Sequence, residues 1–142
     1  EAVDLSSGGA DDTGGMQQPI SEKDVPEGVM AYSIDGPFFF GAAERFERTI
    51  ARIKGYPRVV IFRMRHVPYV DATGVSTMAS VIRTFRKHGS QVILSALRPE
   101  PLRTLRRAGV IELVGDANVC PDIDVALRRA HKILSESAPK AT

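Results

Sequence analysis

Residues 71–74 (DATG) place a carboxylate, a hydroxyl and a glycine directly before a stretch with helical periodicity. Such a turn can bind an anion, because the first N–H groups of a helix have no partner within the helix. The Thr73 hydroxyl is predicted to cap the helix or to accept a phosphate, and Gly74 allows a partner to approach closely. Asp71 and Thr73 are also ordinary capping residues, so the pattern alone leaves a purely structural role open.

A second group with the chemistry for anion binding consists of Arg103, Arg106 and Arg107. Residues 103 and 107 are about one helical turn apart and share a face, with Arg106 close by. The cluster predicts contact with a phosphate, an anionic lipid or the acidic surface of a partner. The competing interpretation is a solvated helix end whose cations complement the helix dipole. Nucleotide binding is only weakly indicated, and nucleic-acid binding is not predicted because aromatic residues do not alternate with the basic ones.

Residue types that serve catalysis or metal binding form no pattern of known function. The three histidines are scattered and Cys120 is the single cysteine, so neither a zinc site nor an internal disulfide is predicted. The sequence contains no Gly-x-Ser-x-Gly motif, no Gly-x-x-x-x-Gly-Lys-Ser/Thr loop and no Gly-x-Gly-x-x-Gly loop. The chain is therefore predicted not to be an enzyme and to need no metal or cofactor.

Strand and helix patterns alternate along the chain from about residue 28. The apolar run at residues 59–62 predicts a central strand covered on both faces, with Phe62 on one side and Ile61 on the other. Residues 38–40 (FFF) predict a short strand or a packed corner. The predicted elements are strands over residues 29–34, 58–64, 91–95 and 110–114, and helices over about 42–54, 75–87, 99–108 and from Asp122 onward. This order predicts an α/β fold with a central, mostly parallel mixed sheet and about four helices.

Charge and composition divide the chain into three parts. Residues 1–27 carry seven acids and one base, a net charge of −6, which together with their Gly and Pro content predicts a flexible acidic linker. Residues 28–136 are predicted to form one domain, and residues 137–142 a polar tail. No stretch approaches the ~18 apolar residues that span a bilayer, and the acidic start lacks a signal-peptide pattern. Because the first residue is not Met, the chain is interpreted as a fragment of a longer protein.

The order of the elements and two motifs resemble the STAS domain, a family named for sulfate transporters and anti-sigma factor antagonists. One motif is residues 71–74 after an apolar strand; the other is residues 34–43 (IDGPFFFGAA), which is similar to the SulP transporter branch. The resemblance covers roughly residues 28–135 and implies the fold of the antagonists. In the antagonists the hydroxyl residue before the glycine is phosphorylated, which implies a phosphorylation and interaction site at Thr73, with Asp71 and Gly74 beside it. Those proteins usually carry serine at this position, whereas this chain has threonine.

The resemblance implies a cytoplasmic regulatory or interaction domain of a SulP-type secondary transporter for sulfate or a related anion. The implied partners are the membrane domain of the same transporter and cytosolic regulatory proteins, at the cytoplasmic side of the inner (plasma) membrane. The full-length protein is expected to be a homodimer. The alternative is a free-standing anti-sigma factor antagonist that acts as a phosphorylation switch. The sequence before Glu1 distinguishes the two, because only a transporter has many apolar stretches of about 20 residues there.

Overall fold

The computed structural model describes the backbone of residues 16–17 and the chain from residue 25 to residue 136. The strands are β1 (Met16–Gln17), β2 (Val29–Asp35), β3 (Val59–His66), β4 (Gln91–Ser95) and β5 (Val119–Cys120). The helices are α1 (Phe40–Ala51), α2 (Ala72–Lys87), α3 (Pro99–Arg107), α4 (Val110–Val114) and α5 (Ile123–Glu136). Residues 116–118 form a short 3₁₀ turn.

The sheet has the strand order β1-β2-β3-β4-β5. Strands β2 to β5 are all parallel, whereas β1 runs antiparallel to β2. Each parallel strand therefore lies beside the next one along the chain; α1 connects β2 to β3, α2 connects β3 to β4, and α3 and α4 connect β4 to β5. The predicted α/β class and the mostly parallel mixed sheet are both confirmed.

The helices cover the two faces of the sheet unequally. Helices α1 to α4 pack on one face, where Phe62 contacts the rings of Phe46 and Phe85 at centroid distances of 5.2 and 6.0 Å. Helix α5 packs on the opposite face, where its residues Ala126 and Ala130 join the cluster that contains Ile61. Phe62 and Ile61 are both fully buried, so the prediction of a strand covered from both sides is confirmed.

Residues 110–114 differ from their prediction, because they form helix α4 and not a strand. Gly109, with φ +83°, ends α3 and turns the chain into a new short helix. In the helix Val110, Ile111 and Val114 lie on one side and are all buried, so the same apolar run satisfies helical spacing. The described part of the chain therefore has five α-helices, where about four are predicted.

The predicted starts of the first two helices lie too late in the sequence. Helix α1 begins at Phe40 and α2 at Ala72, each two or three residues before the predicted position. Of the run 38–40, Phe38 makes a single bridge to Val70 and is buried, which fits the packed corner and not a strand.

Ordered structure also precedes the predicted domain start at residue 28. Met16 and Gln17 pair with Ile34 and Ser33 of β2, and Val25 is buried in the cluster beneath α5. The remainder of the predicted linker and the predicted tail at 137–142 lie outside the described residues. Within the described part of the chain, no helix is long and apolar enough to cross a membrane.

Candidate functional site at the start of helix α2

Asp71 caps helix α2. Its backbone is extended, with φ −92° and ψ −177°, and its Oδ1 accepts a hydrogen bond of 2.8 Å from the N–H of Gly74. Thr73 lies inside the first helical turn, so the prediction that the Thr73 hydroxyl caps the helix is wrong. The reason is the early start of α2 at Ala72, which moves the cap position from residue 73 to residue 71.

Packing within the chain itself requires a glycine at position 74. A Cβ atom at this position would lie 2.2 Å from the carbonyl oxygen of Phe38 and 2.8 Å from Cγ1 of Val70. Any side chain would therefore collide with the backbone of the segment before α1. The group that approaches Gly74 closely is thus Phe38, whereas the sequence pattern suggested an external partner.

The two sequence motifs are joined by backbone hydrogen bonds. The Gly36 N–H donates to the His66 carbonyl at 3.0 Å, and the Phe38 N–H donates to the Tyr69 carbonyl at 3.0 Å. In return the Asp71 N–H donates to the Phe38 carbonyl at 3.3 Å. The loop after β2 and the loop after β3 therefore form one continuous rim at the carboxyl edge of the sheet.

An exposed aromatic pair lies on this rim. Phe39 is 40% exposed and Tyr69 is 41% exposed, and their rings meet edge to face with centroids 5.8 Å apart. Thr73 is partly exposed, and Ala72 and Ser76 are exposed beside it. We call these five residues the Thr73 surface. Sequence reasoning missed the aromatic pair, because residues 39 and 69 are 30 positions apart and become neighbours only when the two loops pair.

The Thr73 surface is electrostatically simple. The first turn of α2 contains no acidic residue, and the carboxylate of the cap residue Asp71 lies next to its positive end. Asp71 already satisfies the N–H of Gly74, while the other N–H groups of the first turn are of the kind that favours an anion. The arrangement can hold a negative group on Thr73 without burying it.

The second predicted cluster lies on a different helix. Arg103, Arg106 and Arg107 are exposed on α3, and Arg106 lies 3.5 Å from the Asp116 carboxylate. The side chains of this ion pair are 56% and 82% exposed, so the pair contributes about 0–1 kcal/mol to stability. The structure therefore does not bring the arginine cluster into the Thr73 surface.

Other reactive side chains do not form a site in the described residues. No three His, Cys, Asp or Glu side chains lie together there in a way that could hold a metal ion. Cys120 is buried, and this burial raises the pKa of its thiol above the ordinary value. A higher pKa leaves less of the thiolate, the nucleophilic form of cysteine, so the environment does not activate Cys120.

The chain belongs to the STAS domain family, whose model matches residues 21–126. The resemblance drawn from the two motifs is thereby confirmed. The match begins ahead of residue 28, in agreement with the buried position of Val25.

Within this family the chain is similar to domains of sulfate transporters. A sulfate transporter family protein from Wolinella succinogenes is 39% identical, with a TM-score of 0.74 over 78% of this chain and 91% of that chain. The STAS domain of a SulP transporter from Vibrio cholerae is 37% identical, with a TM-score of 0.69 over 79% and 88% of the two chains.

Longer transporters match over a small part of their length. The Bacillus subtilis (strain 168) protein YvdB, whose name describes a sulfate transporter, is 24% identical over 98 residues, which are 68% of this chain and 18% of that protein. The murine anion transporter Slc26a9 is 25% identical, with a TM-score of 0.68 over 75% of this chain and 18% of that chain. This chain thus spans about a fifth of the length of these relatives.

An anti-sigma factor antagonist from Mycobacterium paratuberculosis has the same fold. It is 19% identical, with a TM-score of 0.65 over 80% of this chain and 93% of that chain. At this level of identity the likeness concerns the fold alone, and the fold implied by the resemblance is confirmed.

Proposed function

We propose that this chain is the non-catalytic, cytoplasmic regulatory and interaction domain of a SulP-type transporter for sulfate or a related anion. The observation that carries the proposal is the Thr73 surface, an exposed aromatic pair beside a partly exposed threonine on a rim that two paired loops hold in place. Exposed aromatic residues are enriched in protein interfaces, where one ring buries a large area at low entropic cost. The surface therefore has the composition of a contact site and not of a catalytic centre.

The proposed partners are the membrane domain of the same transporter and cytosolic regulatory proteins. The similarity to sulfate transporters at 39% and 37% identity supports this assignment over the antagonist, which is 19% identical. The small share of YvdB and Slc26a9 that matches, 18% in each case, fits a domain attached to a larger membrane part. The proposal places the domain at the cytoplasmic side of the inner membrane, in a full-length homodimer.

Thr73 is the proposed regulatory residue. A phosphate on its hydroxyl would be attracted by the positive end of α2 and repelled by the Asp71 carboxylate two residues away. Each effect is on the order of 1 kcal/mol at a surface site, so they nearly cancel and the fold survives modification. The Thr73 surface would nevertheless gain a charge of about −1.5 to −2, which changes how it meets a partner.

The test replaces Thr73 with Glu in the full-length transporter. We expect T73E to leave the melting temperature of the domain nearly unchanged and to alter transport or partner binding. The matched control is T84E, which adds the same charge at an exposed threonine on the same helix, away from the paired loops. If T73E and T84E both behave like the original protein in transport and binding, the regulatory role of Thr73 is refuted.

A free-standing anti-sigma factor antagonist remains the alternative, and the same surface would then bind an anti-sigma kinase. The parent gene separates the two functions. About ten apolar stretches of ~20 residues before Glu1 identify a transporter, whereas an initiating Met close to residue 1 identifies the antagonist.

A further inference from the structure

A crevice of about 520 Å³ opens at the carboxyl ends of β3, β4 and β5. Its walls are the end of β3, the loop from β4 to α3 and the first residues of α5, and they include Arg63, Arg65 and Arg98. The volume lies within the range of roughly 300–1,000 Å³ that small-molecule sites occupy. We call it the arginine crevice; none of its lining residues belongs to the Thr73 surface.

The topology of the sheet explains why the crevice exists. The chain leaves β4 toward α3, on the face that carries α1 to α4, and it leaves β5 toward α5, on the opposite face. Because connections from two adjacent strands depart in opposite directions, none of the residues that the structure describes closes the edge between them. Open α/β sheets bind ligands in crevices outside the carboxyl ends of their strands.

Two buried polar atoms lie at this point without a hydrogen-bond partner in the described residues. Arg63 and Ser95 are opposite each other in the register of β3 and β4, on the face that α5 covers. Ser95 is fully buried and its Oγ has no partner; it directly precedes Ala96, which lines the crevice. The Nε of Arg63 is likewise buried and unpaired. Because Arg63 lines the crevice, an acceptor bound there can supply the hydrogen bond that its Nε lacks within the described residues.

The charges of the crevice select an oxyanion. Three arginines face two carboxylates, Asp122 and Asp124, and Asp122 is already engaged as it accepts a 2.9 Å hydrogen bond from the Val125 N–H. Arginine presents planar, forked donors that match the oxygens of a phosphate. Helix α5, 14 residues long, begins at the same place and adds the positive end of its dipole.

The remaining lining limits what the oxyanion is attached to. None of the lining residues is aromatic, so a nucleobase would find no ring on which to stack. Leu97 and Ile123 offer small apolar surfaces, and the Asp124 carboxylate can accept a hydrogen bond from a hydroxyl group. The two carboxylates would repel a second phosphate. We propose that the arginine crevice binds a small aliphatic phosphate monoester with hydroxyl groups, and that its phosphate contacts Arg63, Arg65 and Arg98.

The experiment is a titration of the ¹⁵N-labelled 142-residue chain with glycerol 3-phosphate, followed by NMR at constant ionic strength maintained with chloride. We expect saturable shifts confined to amides near residues 96–98 and 122–125, and weaker binding of inorganic phosphate. Equal affinity for inorganic phosphate would overturn the monoester assignment in favour of a free anion. Tighter binding of adenosine monophosphate would overturn the aliphatic assignment, and the absence of saturable shifts would overturn the site.

Variants assign the binding to the crevice. Arg98 is exposed on the wall of the crevice and does not support the core. We therefore expect R98Q to lower the affinity for glycerol 3-phosphate about tenfold, the equivalent of ~1.4 kcal/mol. R63Q should do the same and is checked for an unchanged melting temperature. The matched control R83Q, at an exposed position on α2, should bind like the original chain. Normal binding by both R98Q and R63Q, or equal weakening by R83Q, would refute the site.

The arginine crevice is independent of the proposed regulatory role of Thr73. T73E is therefore expected to bind glycerol 3-phosphate with unchanged affinity. A failure of one proposal leaves the other standing, since the transport assay reports on the Thr73 surface and the titration on the crevice.

Discussion

The Thr73 surface and the arginine crevice share the carboxyl edge of one sheet but differ in how they are built. At the Thr73 surface, backbone hydrogen bonds join two loops, and the exposed groups are a pair of aromatic rings and a hydroxyl. At the crevice the loops diverge, and charged or unpaired polar side chains line the gap. The first arrangement suits a flat macromolecular contact, and the second suits a small anion.

The difference follows from the direction in which the chain leaves each strand. After β2 and β3 the chain turns to the same face, so the two loops run side by side and close over Gly74. After β4 and β5 it turns to opposite faces, so the described residues leave the edge open. Adjacent connections on the same face thus make a surface, while connections on opposite faces make a cavity.

The largest expected effect concerns Phe62, which supports the face beneath the Thr73 surface. F62A should reduce the free energy of unfolding by roughly 3–5 kcal/mol, because it removes a fully buried ring that packs against three other rings. The matched control F39A removes an exposed ring and should cost less than about 1 kcal/mol. Urea unfolding of both variants measures the difference. A loss below about 1 kcal/mol for F62A would contradict the doubly covered strand.

Gly74 tests whether the joined loops hold the Thr73 surface together. G74A should destabilise the domain by about 1–3 kcal/mol, because the added Cβ would lie 2.2 Å from the Phe38 carbonyl oxygen and the loops must separate. The matched control G41A adds a methyl group in α1, where the nearest atom is the end of the Arg45 side chain at 3.7 Å. It should stabilise by about 0.5–1 kcal/mol through helix propensity. Equal thermal stability of G74A and G41A would show that the loops are not tightly joined.

The smallest expected effect separates the cap of α2 from the residue proposed for modification. D71A should cost about 0.5–2 kcal/mol, because the Gly74 N–H loses its acceptor, while D71N should retain most of the stability. T73A should change stability by less than about 0.5 kcal/mol, since the Thr73 hydroxyl does not cap the helix. Thermal unfolding of the three variants ranks them. If T73A lost more stability than D71A, the capping residue would be Thr73 and not Asp71.

The sequence alone was sufficient for the α/β class, the central strand and the family, because each depends on local patterns. The apolar run at 59–62 indicates burial, and the motif at 34–43 indicates the transporter branch. The apolar pattern gave the wrong element at residues 110–114, because Val, Ile and Leu suit a strand as well as a buried helix. Packing against α2 and α3 selects the helix.

The candidate sites required the tertiary structure. Periodicity identified the turn at 71–74, but which residue caps the helix depends on its first residue, which the pairing of Phe38 with Val70 helps to position. The neighbourhood of Phe39 and Tyr69, and that of Arg63, Arg98 and Asp124, joins residues that lie 26 or more positions apart in the sequence. Sequence periodicity reports which face a residue occupies within its own element. Which loops meet at the edge of the sheet is decided by strand order and by the face to which each connection turns.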